Sequence, residues 1–250
     1  MGMRIILIGA GKLGNQLYKS IISNKVVKII QWVNRSAKKN ETSEGVSIVK
    51  KASNLENIDL YLLAVSDDSI GTISGSLPRD AFVVHTAGSQ SLYTIPQKRA
   101  GVFYPLQSFS VNKDVDFTKI PFGIESKIRT DINLLKKLAK SVKASVFEIN
   151  SQQRQKLHLA AVLVNNFTNH LFVEAAEICK TNELSFNLLK PIIRETFEKI
   201  ETLNPQDAQT GPAIRGDEKT IKKHLKLIKS PYLKSIYKLF TSAIQTKYDK

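Results

Sequence analysis

Cysteine is almost absent from this chain: Cys179 is the single one in 250 residues. One thiol forms no internal disulfide and supports no cysteine-based metal cluster, which points to a cytoplasmic protein. No apolar run approaches the ~18 residues of a membrane span. The run Ile5–Ile8 is too short for the core of a signal peptide and leads straight into glycines. Met1-Gly2 does not suit myristoylation, because Ile6 stands where Ser or Thr is required. Internal repeats and low-complexity tracts are missing. So are H-E-x-x-H, paired catalytic carboxylates and G-x-S-x-G, which leaves metalloprotease and hydrolase chemistry without support and no metal site expected. Acidic residues are also scarce, 22 against 37 Lys and Arg, for a net charge of +15. That excess invites a nucleic-acid reading. The lysines, however, are spread along the chain, and the densest stretch, Lys219–Lys250, carries them at helical spacing between apolar residues, as a solvated helix face does. No zinc-finger spacing or RNA-binding aromatic signature accompanies it, so neither nucleic acid nor membrane is expected as a partner.

What is present, with 42% hydrophobic residues, is enough for a core in one or two domains. The chain is organised around Arg4–Gly14, RIILIGAGKLG. An apolar β-type run, Ile5–Ile8, stops at Gly9, and Gly9-Ala10-Gly11-Lys12-Leu13-Gly14 spells G-x-G-x-x-G. In a dinucleotide fold Gly9 allows the tight turn, Gly11 lets backbone approach a pyrophosphate, and Gly14 lets helix and strand pack closely. A helix opening at Lys12 and Leu13 aims its unpaired N–H groups at phosphate. An amphipathic helix (Leu13, Leu17, Ile21) and a second strand, Val26–Val33, complete a βαβ crossover. Beyond that strand an Asp or Glu would bind the ribose hydroxyls of NAD. Asn34, Arg35 and Ser36 stand there instead. A carboxylate would repel a 2′-phosphate, whereas a guanidinium pairs with it, so the expected cofactor is NADP(H) rather than NAD(H).

Further along, Val46–Val49 suggests a short strand and Leu55–Ile58 a helical turn. Asp59–Val65 is a near-continuous apolar run, as expected of a parallel strand buried on both faces. Ligands of open α/β sheets sit at the carboxyl ends of strands, so Val65 and Ser66 should lie along the cofactor. Asp67 or Asp68 is expected to cap a helix starting near Ser69. Ala81–His85 is another strand, and His85 and Thr86 at its end fall where a nicotinamide should lie, with Thr86 and Ser89 able to hydrogen-bond the carboxamide or a substrate. Val102–Tyr104, Phe122–Glu125 and Ser145–Ile149 read as the remaining strands, the last two separated by an amphipathic helix (Ile132, Leu135, Leu138, Val142). Residues 1–150 therefore read as a doubly wound, mostly parallel α/β sheet. Residues 151–250 show only helices. Ser151 is a candidate N-cap for a helix reaching about Thr181, whose middle, Leu157–Phe172, is apolar on nearly every side and should be buried all round. Further helices are expected over Leu188–Leu203, Glu218–Lys229 and Pro231–Thr246, with an irregular loop at Asn204–Asp217.

Two constellations in this second half can carry chemistry. His158, Asn165 and Asn169 share one helical face at 100° per residue. Hydride transfer to a carbonyl or imine needs a proton donor beside the reacting carbon, a task for which histidine is suited as a residue type. His158 is thus a candidate acid with Asn165 beside it and Asn169 lining a substrate site; a satisfied core histidine is the bland alternative. His85 is a second candidate for the acid, or simply ends its strand. In Thr210–Asp217, Arg215 can fix a substrate carboxylate or phosphate, while Asp217 is better placed as a helix cap.

Together these residues resemble a known family. The N-terminal half is similar to the NADP-binding domain of pyrroline-5-carboxylate reductases and the 6-phosphogluconate dehydrogenase superfamily. Nearly the whole chain resembles the Rossmann-like oxidoreductases whose second domain is a domain of unknown function. The marks are Gly9–Gly14, Asn34-Arg35-Ser36, His85–Ser89, Tyr104-Pro105-Leu106-Gln107, His158–Ala161 with Asn165-Asn166-Phe167, and Thr210-Gly211-Pro212 with Arg215-Gly216-Asp217. The resemblance implies NADP binding, a helical second domain and a homodimer formed through it, but no substrate. Enzymes of the wider superfamily often place a lysine and an asparagine one helical turn apart; here Ala161 and Val162 precede Asn165 and Asn166, which speaks against 3-hydroxyacid chemistry. The expected function is NADP(H)-dependent hydride transfer to a small carbonyl or imine metabolite, the alternative a non-catalytic NADP(H) sensor.

Overall fold

The computed structural model describes residues 2–53, 55–110 and 114–248. Its first part is an eight-stranded sheet in the order β3-β2-β1-β4-β5-β6-β7-β8. The strands are β1 (Met3–Ile8), β2 (Val27–Val33), β3 (Ser47–Val49), β4 (Leu60–Leu63), β5 (Val83–His85), β6 (Ala100–Pro105), β7 (Phe122–Ser126) and β8 (Val146–Glu148). All neighbours are parallel except β6 and β7. Every strand expected from the sequence is present, with ends displaced by a few residues. The region Leu55–Ile58 departs from expectation: it is a turn rather than a helical one, with Asn57 in the left-handed region at φ 59°.

β1 occupies the centre because of its composition. Ile5, Ile6, Leu7 and Ile8 are all buried, and Leu7 pairs with Trp32 of β2 on one side and Leu62 of β4 on the other. Burying each such side chain is worth about 1.5–3 kcal/mol, so four in a row do not belong at a sheet edge. Successive residues face opposite ways. Ile5 and Leu7 join one apolar layer with Leu17 and Ile21 of helix α1 (Lys12–Ile22) and Leu135 and Leu138 of α3 (Ile132–Ser141). Ile6 and Ile8 join the other, with Ile70 of the short helix α2 (Ile70–Gly75). The chain leaves β1 in one direction and returns through β4 in the other, so the strand order reverses between these two; ligands of doubly wound sheets bind at such a switch point.

The remaining elements are helical: α4 (Ser151–Ala161), a π-helical segment (Val162–Phe167), α5 (Thr168–Thr181), α6 (Lys190–Thr202), α7 (Glu218–Leu227) and α8 (Pro231–Tyr248). By compactness the chain forms two units, the first running to Asn166 and the second starting at Phe167. Asn150 caps α4, not Ser151: its side chain accepts from the Gln153 backbone N–H while the Gln153 side chain returns to the Asn150 N–H. Asp217 does cap α7, with Oδ1 accepting from the Thr220 N–H at 3.0 Å.

Burial all round Leu157–Phe172 does not hold within the chain. Leu159, Leu163, Val164 and Phe167 are 61, 52, 69 and 55% exposed. An apolar surface at every angle says that a helix needs cover on all sides, not that its own chain supplies it.

Candidate functional site

The glycine turn between β1 and α1 is held from several directions. Gly9 adopts φ +113°, and a Cβ there would lie 2.1 Å from the Ala64 carbonyl oxygen. A Cβ on Gly14 would lie 2.4 Å from the Gly9 carbonyl oxygen, so α1 can approach β1 only with glycine there. At Gly11 nothing lies within 4 Å, which leaves that backbone open to a ligand. No side chain caps α1 and no acidic residue sits in its first turn, so its N–H groups remain available to an anion. Trp32 at the end of β2 donates its indole N–H to the Gly9 carbonyl at 2.9 Å and stacks on Tyr18 of α1 with ring centroids 4.3 Å apart.

A cavity of about 680 Å³ opens at the carboxyl ends of β1, β2 and β4. Gly9, Gly11, Lys12 and Leu13 line it from the turn, Asn34, Arg35 and Ser36 from beyond β2, Val65 and Ser66 from beyond β4, and Thr86 from beyond β5. Asn34 shapes its corner: its Oδ1 accepts from the Ser36 N–H at 3.1 Å, and its own N–H donates to the Val49 carbonyl at 2.9 Å. Lys50 and Lys51, which follow β3, line the same cavity. Sequence reasoning passed them over, although two lysines directly after a strand end were the available signal. Of the expected cofactor residues, Gly14 and His85 are not among the lining. Gly14 acts through packing.

His85 is fully buried. Its Nδ1 accepts from the Ala87 N–H at 3.1 Å. Burial, and then the Arg154 guanidinium charge, lower its pKa to about 4. The ring is therefore neutral near pH 7 and held in place by the loop that follows it. Ser89 is also engaged: its hydroxyl donates to the Asp67 carboxylate, and its carbonyl accepts from the Gln155 amide at 3.0 Å. This corrects the capping role expected of Asp67 and Asp68. No side chain caps the 3-10 turn Asp67–Ser69 or α2, because the Asp67 carboxylate faces Ser89 instead.

The loop after β5 carries a second group of contacts. Tyr104 Oη on β6 and His158 Nδ1 on α4 are 3.2 Å apart, and their rings meet edge to face. Both press on Gly88: a Cβ there would lie 2.6 Å from His158 Nδ1 and 2.8 Å from the Tyr104 ring. Burial raises the Tyr104 pKa above the usual phenol value, against a lesser opposite pull from Arg154. His158 itself is half-buried.

Arg154 holds this group together, and sequence reasoning missed it. Its side chain is fully buried. Nη1 donates to the carbonyls of Gly88 at 3.2 Å and Gln90 at 2.7 Å, and Nη2 to Glu125 Oε2 and Ser151 Oγ, both at 3.1 Å. The signal was its place four residues before His158, one helical turn away on the same face. Burial lowers its pKa, with the Glu125 carboxylate opposing.

Asn165 lies in the π-helical segment of the first unit, exposed; Asn169 and Arg215 lie in the second, both exposed. The common face expected for His158, Asn165 and Asn169 assumed 100° throughout. A π-helix takes more residues per turn, so that relation does not carry through Val162–Phe167. Arg215 stands in the loop before α7, where its charge helps hold the Asp217 carboxyl below the usual range, after the Thr220 hydrogen bonds.

A family model described as Domain of unknown function (DUF2520) matches residues 120–244. Among solved structures, a Bacteroides fragilis protein assigned as an NADP oxidoreductase is 35% identical, with a TM-score of 0.83 and 98% of each chain covered. Plasmodium falciparum pyrroline carboxylate reductase, solved with NADP bound, is 15% identical with a TM-score of 0.58, covering 98% of this chain and 97% of its own. An imine reductase from Streptomyces aurantiacus is 11% identical with a TM-score of 0.71, covering 95% of this chain and 93% of its own. No curated protein matches.

Proposed function

The chain belongs to the DUF2520 family, and on that premise we propose that it is an NADP(H)-dependent oxidoreductase acting on a small carbonyl or imine. One observation carries the reading: an uncapped helix N-terminus behind an open glycine and the cations Lys12, Arg35, Lys50 and Lys51 line one cavity at the switch point of the sheet. The turn suits a diphosphate, and the cations suit the additional phosphate of NADP. The relatives described as an NADP oxidoreductase and as an imine reductase support the same class.

When bound, the coenzyme supplies hydride. The N–H groups of Lys12 and Leu13 hold its diphosphate, Arg35 with Ser36 and Lys50 with Lys51 hold the 2′-phosphate, and Val65, Ser66 and Thr86 border the path toward the nicotinamide. His158 gives the proton to the oxygen or nitrogen of the reduced bond, and Asn165 hydrogen-bonds the substrate. Ser89, held by Asp67, borders the substrate in the first unit; in the second unit Asn169 offers a hydrogen-bonding amide and Arg215 a cation suited to an anionic group. His85 orients the loop after β5 through Ala87. The protein works in the cytoplasm as a homodimer joined through its helical half.

The chain's single tryptophan, Trp32, touches the glycine turn, so its fluorescence reads coenzyme binding directly. Titration should give a dissociation constant for NADPH at least tenfold below that for NADH, about 1.4 kcal/mol. Comparable values would remove the 2′-phosphate assignment. NADPH oxidation screened against carbonyl and imine metabolites then identifies the substrate; tight binding with no turnover across that panel would favour a sensor.

A further inference from the structure

We propose that Tyr104 is a positioning residue that locks the neutral His158 ring with its proton on Nε2, so that the site presents a hydrogen-bond donor and is set for reduction. This rests on the reading of His158 as the proton donor.

A neutral imidazole has one N–H and one bare nitrogen, and a phenol has one O–H. Nδ1 and Tyr104 Oη share one contact at 3.2 Å, so either the phenol donates to a bare Nδ1 or an Nδ1–H donates to the phenol oxygen. In the second arrangement the phenol proton needs another acceptor. Among the described residues Tyr104 Oη has none, and the residue is only 7% exposed. In the first arrangement every proton is placed.

Two further features favour it. Burial keeps Tyr104 protonated, and the positive charge of Arg154 acts on that phenol in the direction that makes it the stronger donor. Gly88 keeps the pair in register, since any side chain there would enter the space between the two rings. Nε2 has no hydrogen-bond partner among the described residues and, with Nδ1 satisfied, carries the proton.

An N–H at Nε2 recognises an acceptor: a carbonyl oxygen or an imine nitrogen, the oxidised form of a substrate. In the step that follows, the bound coenzyme would supply the hydride for the carbon, and the Nε2 proton reaches the oxygen or nitrogen. The Tyr104 proton moves to Nδ1, which leaves the imidazole neutral in its other tautomer. The phenolate is left near the Arg154 charge; a proton from water then adds to Nε2 and the Nδ1 proton returns to the phenolate, restoring the starting state. Net, one hydride and one proton are consumed for each bond reduced.

The test is nitrogen NMR of the full-length protein with 15N-labelled histidine, at a pH where the rings are neutral. The chain has four histidines, and His158→Gln identifies the signal to follow. The wild-type ring should show a protonated Nε2 and a bare Nδ1. In Tyr104→Phe, which keeps the ring and removes the hydroxyl, the two tautomers should mix. A wild-type ring protonated on Nδ1, or an unmixed ring in Tyr104→Phe, would overturn the proposal. The wild-type measurement stands whether or not the variant folds. A locked tautomer in a protein whose Trp32 fluorescence ignores NADPH would sink the oxidoreductase reading alone, so the two failures are distinguishable.

Discussion

Arg35 carries more of the expected specificity than any other single side chain, and reversing its charge tests that directly. A hydrogen bond to a charged group contributes about 1.5–3 kcal/mol, so Arg35→Glu should weaken NADPH roughly 10- to 100-fold and leave NADH within about threefold. Fluorescence titration of both coenzymes checks this, and an unchanged preference counts against the contact. Gly88 makes the complementary test, because it lies outside the cavity that Arg35 lines. Gly88→Ala places a methyl 2.6 Å from His158 Nδ1. Displacing a reacting group by about 1 Å costs about 10²-fold in rate, so turnover should fall by that order with NADPH affinity unchanged. His85 gives a pH dependence. Its pKa is near 4 in the fold against 6.5 unfolded. The unfolded chain therefore binds the extra proton first as pH falls. The stability tied to the neutral ring is complete above 6.5, declines as pH drops from there toward 4, and is lost below it. The span is about 3 kcal/mol, and urea unfolding of wild type and His85→Gln across that range should show a shallower decline in the variant. At this scale the glycine turn and Arg35 were legible because a local motif states its own geometry. Tyr104 was visible only as part of a family resemblance, since its meaning depends on a histidine 54 residues away.

Among the elements, α4 is the one whose sequence says least about its place. Its first half, Ser151–Lys156, is polar throughout and looks like a solvated face, yet Arg154 there is bonded to the β5 loop, Ser151 and Glu125 on β7. Removing one partner of a buried ion pair costs about 3–5 kcal/mol. Arg154→Met should therefore lower stability by that order, and adding Glu125→Gln should return part of it; thermal unfolding of the single and double variants checks the coupling. The strands were easier. β1 and β4 are apolar runs bounded by turns, and burial on both faces is the common reason for such runs. The π-helical Val162–Phe167 was not legible, because a periodicity argument assumes the turn that it sets out to find. The same assumption put Asn165 and Asn169 on the face of His158.

For the whole molecule, the helical half leaves Val164, Ile192, Leu188 and Leu239 each 64–69% exposed. The proposed homodimer would cover apolar side chains of this kind. Light scattering should give twice the chain mass, and Ile192→Glu should shift it toward the monomer without changing NADPH affinity; a wild-type monomer at micromolar concentration would end that part of the proposal. By itself the sequence determined the α/β class, the order of strands and helices, the nucleotide turn and the charge at its mouth. Those are properties of short stretches, in which residue spacing and local backbone needs leave few alternatives. Tertiary structure alone decided that His85 is buried and neutral, that Asp67 meets Ser89 rather than a helix end, and that Arg154 and Tyr104 frame His158. Each of these joins residues distant in the chain, and such contacts exist only after the sheet has brought its strand ends together.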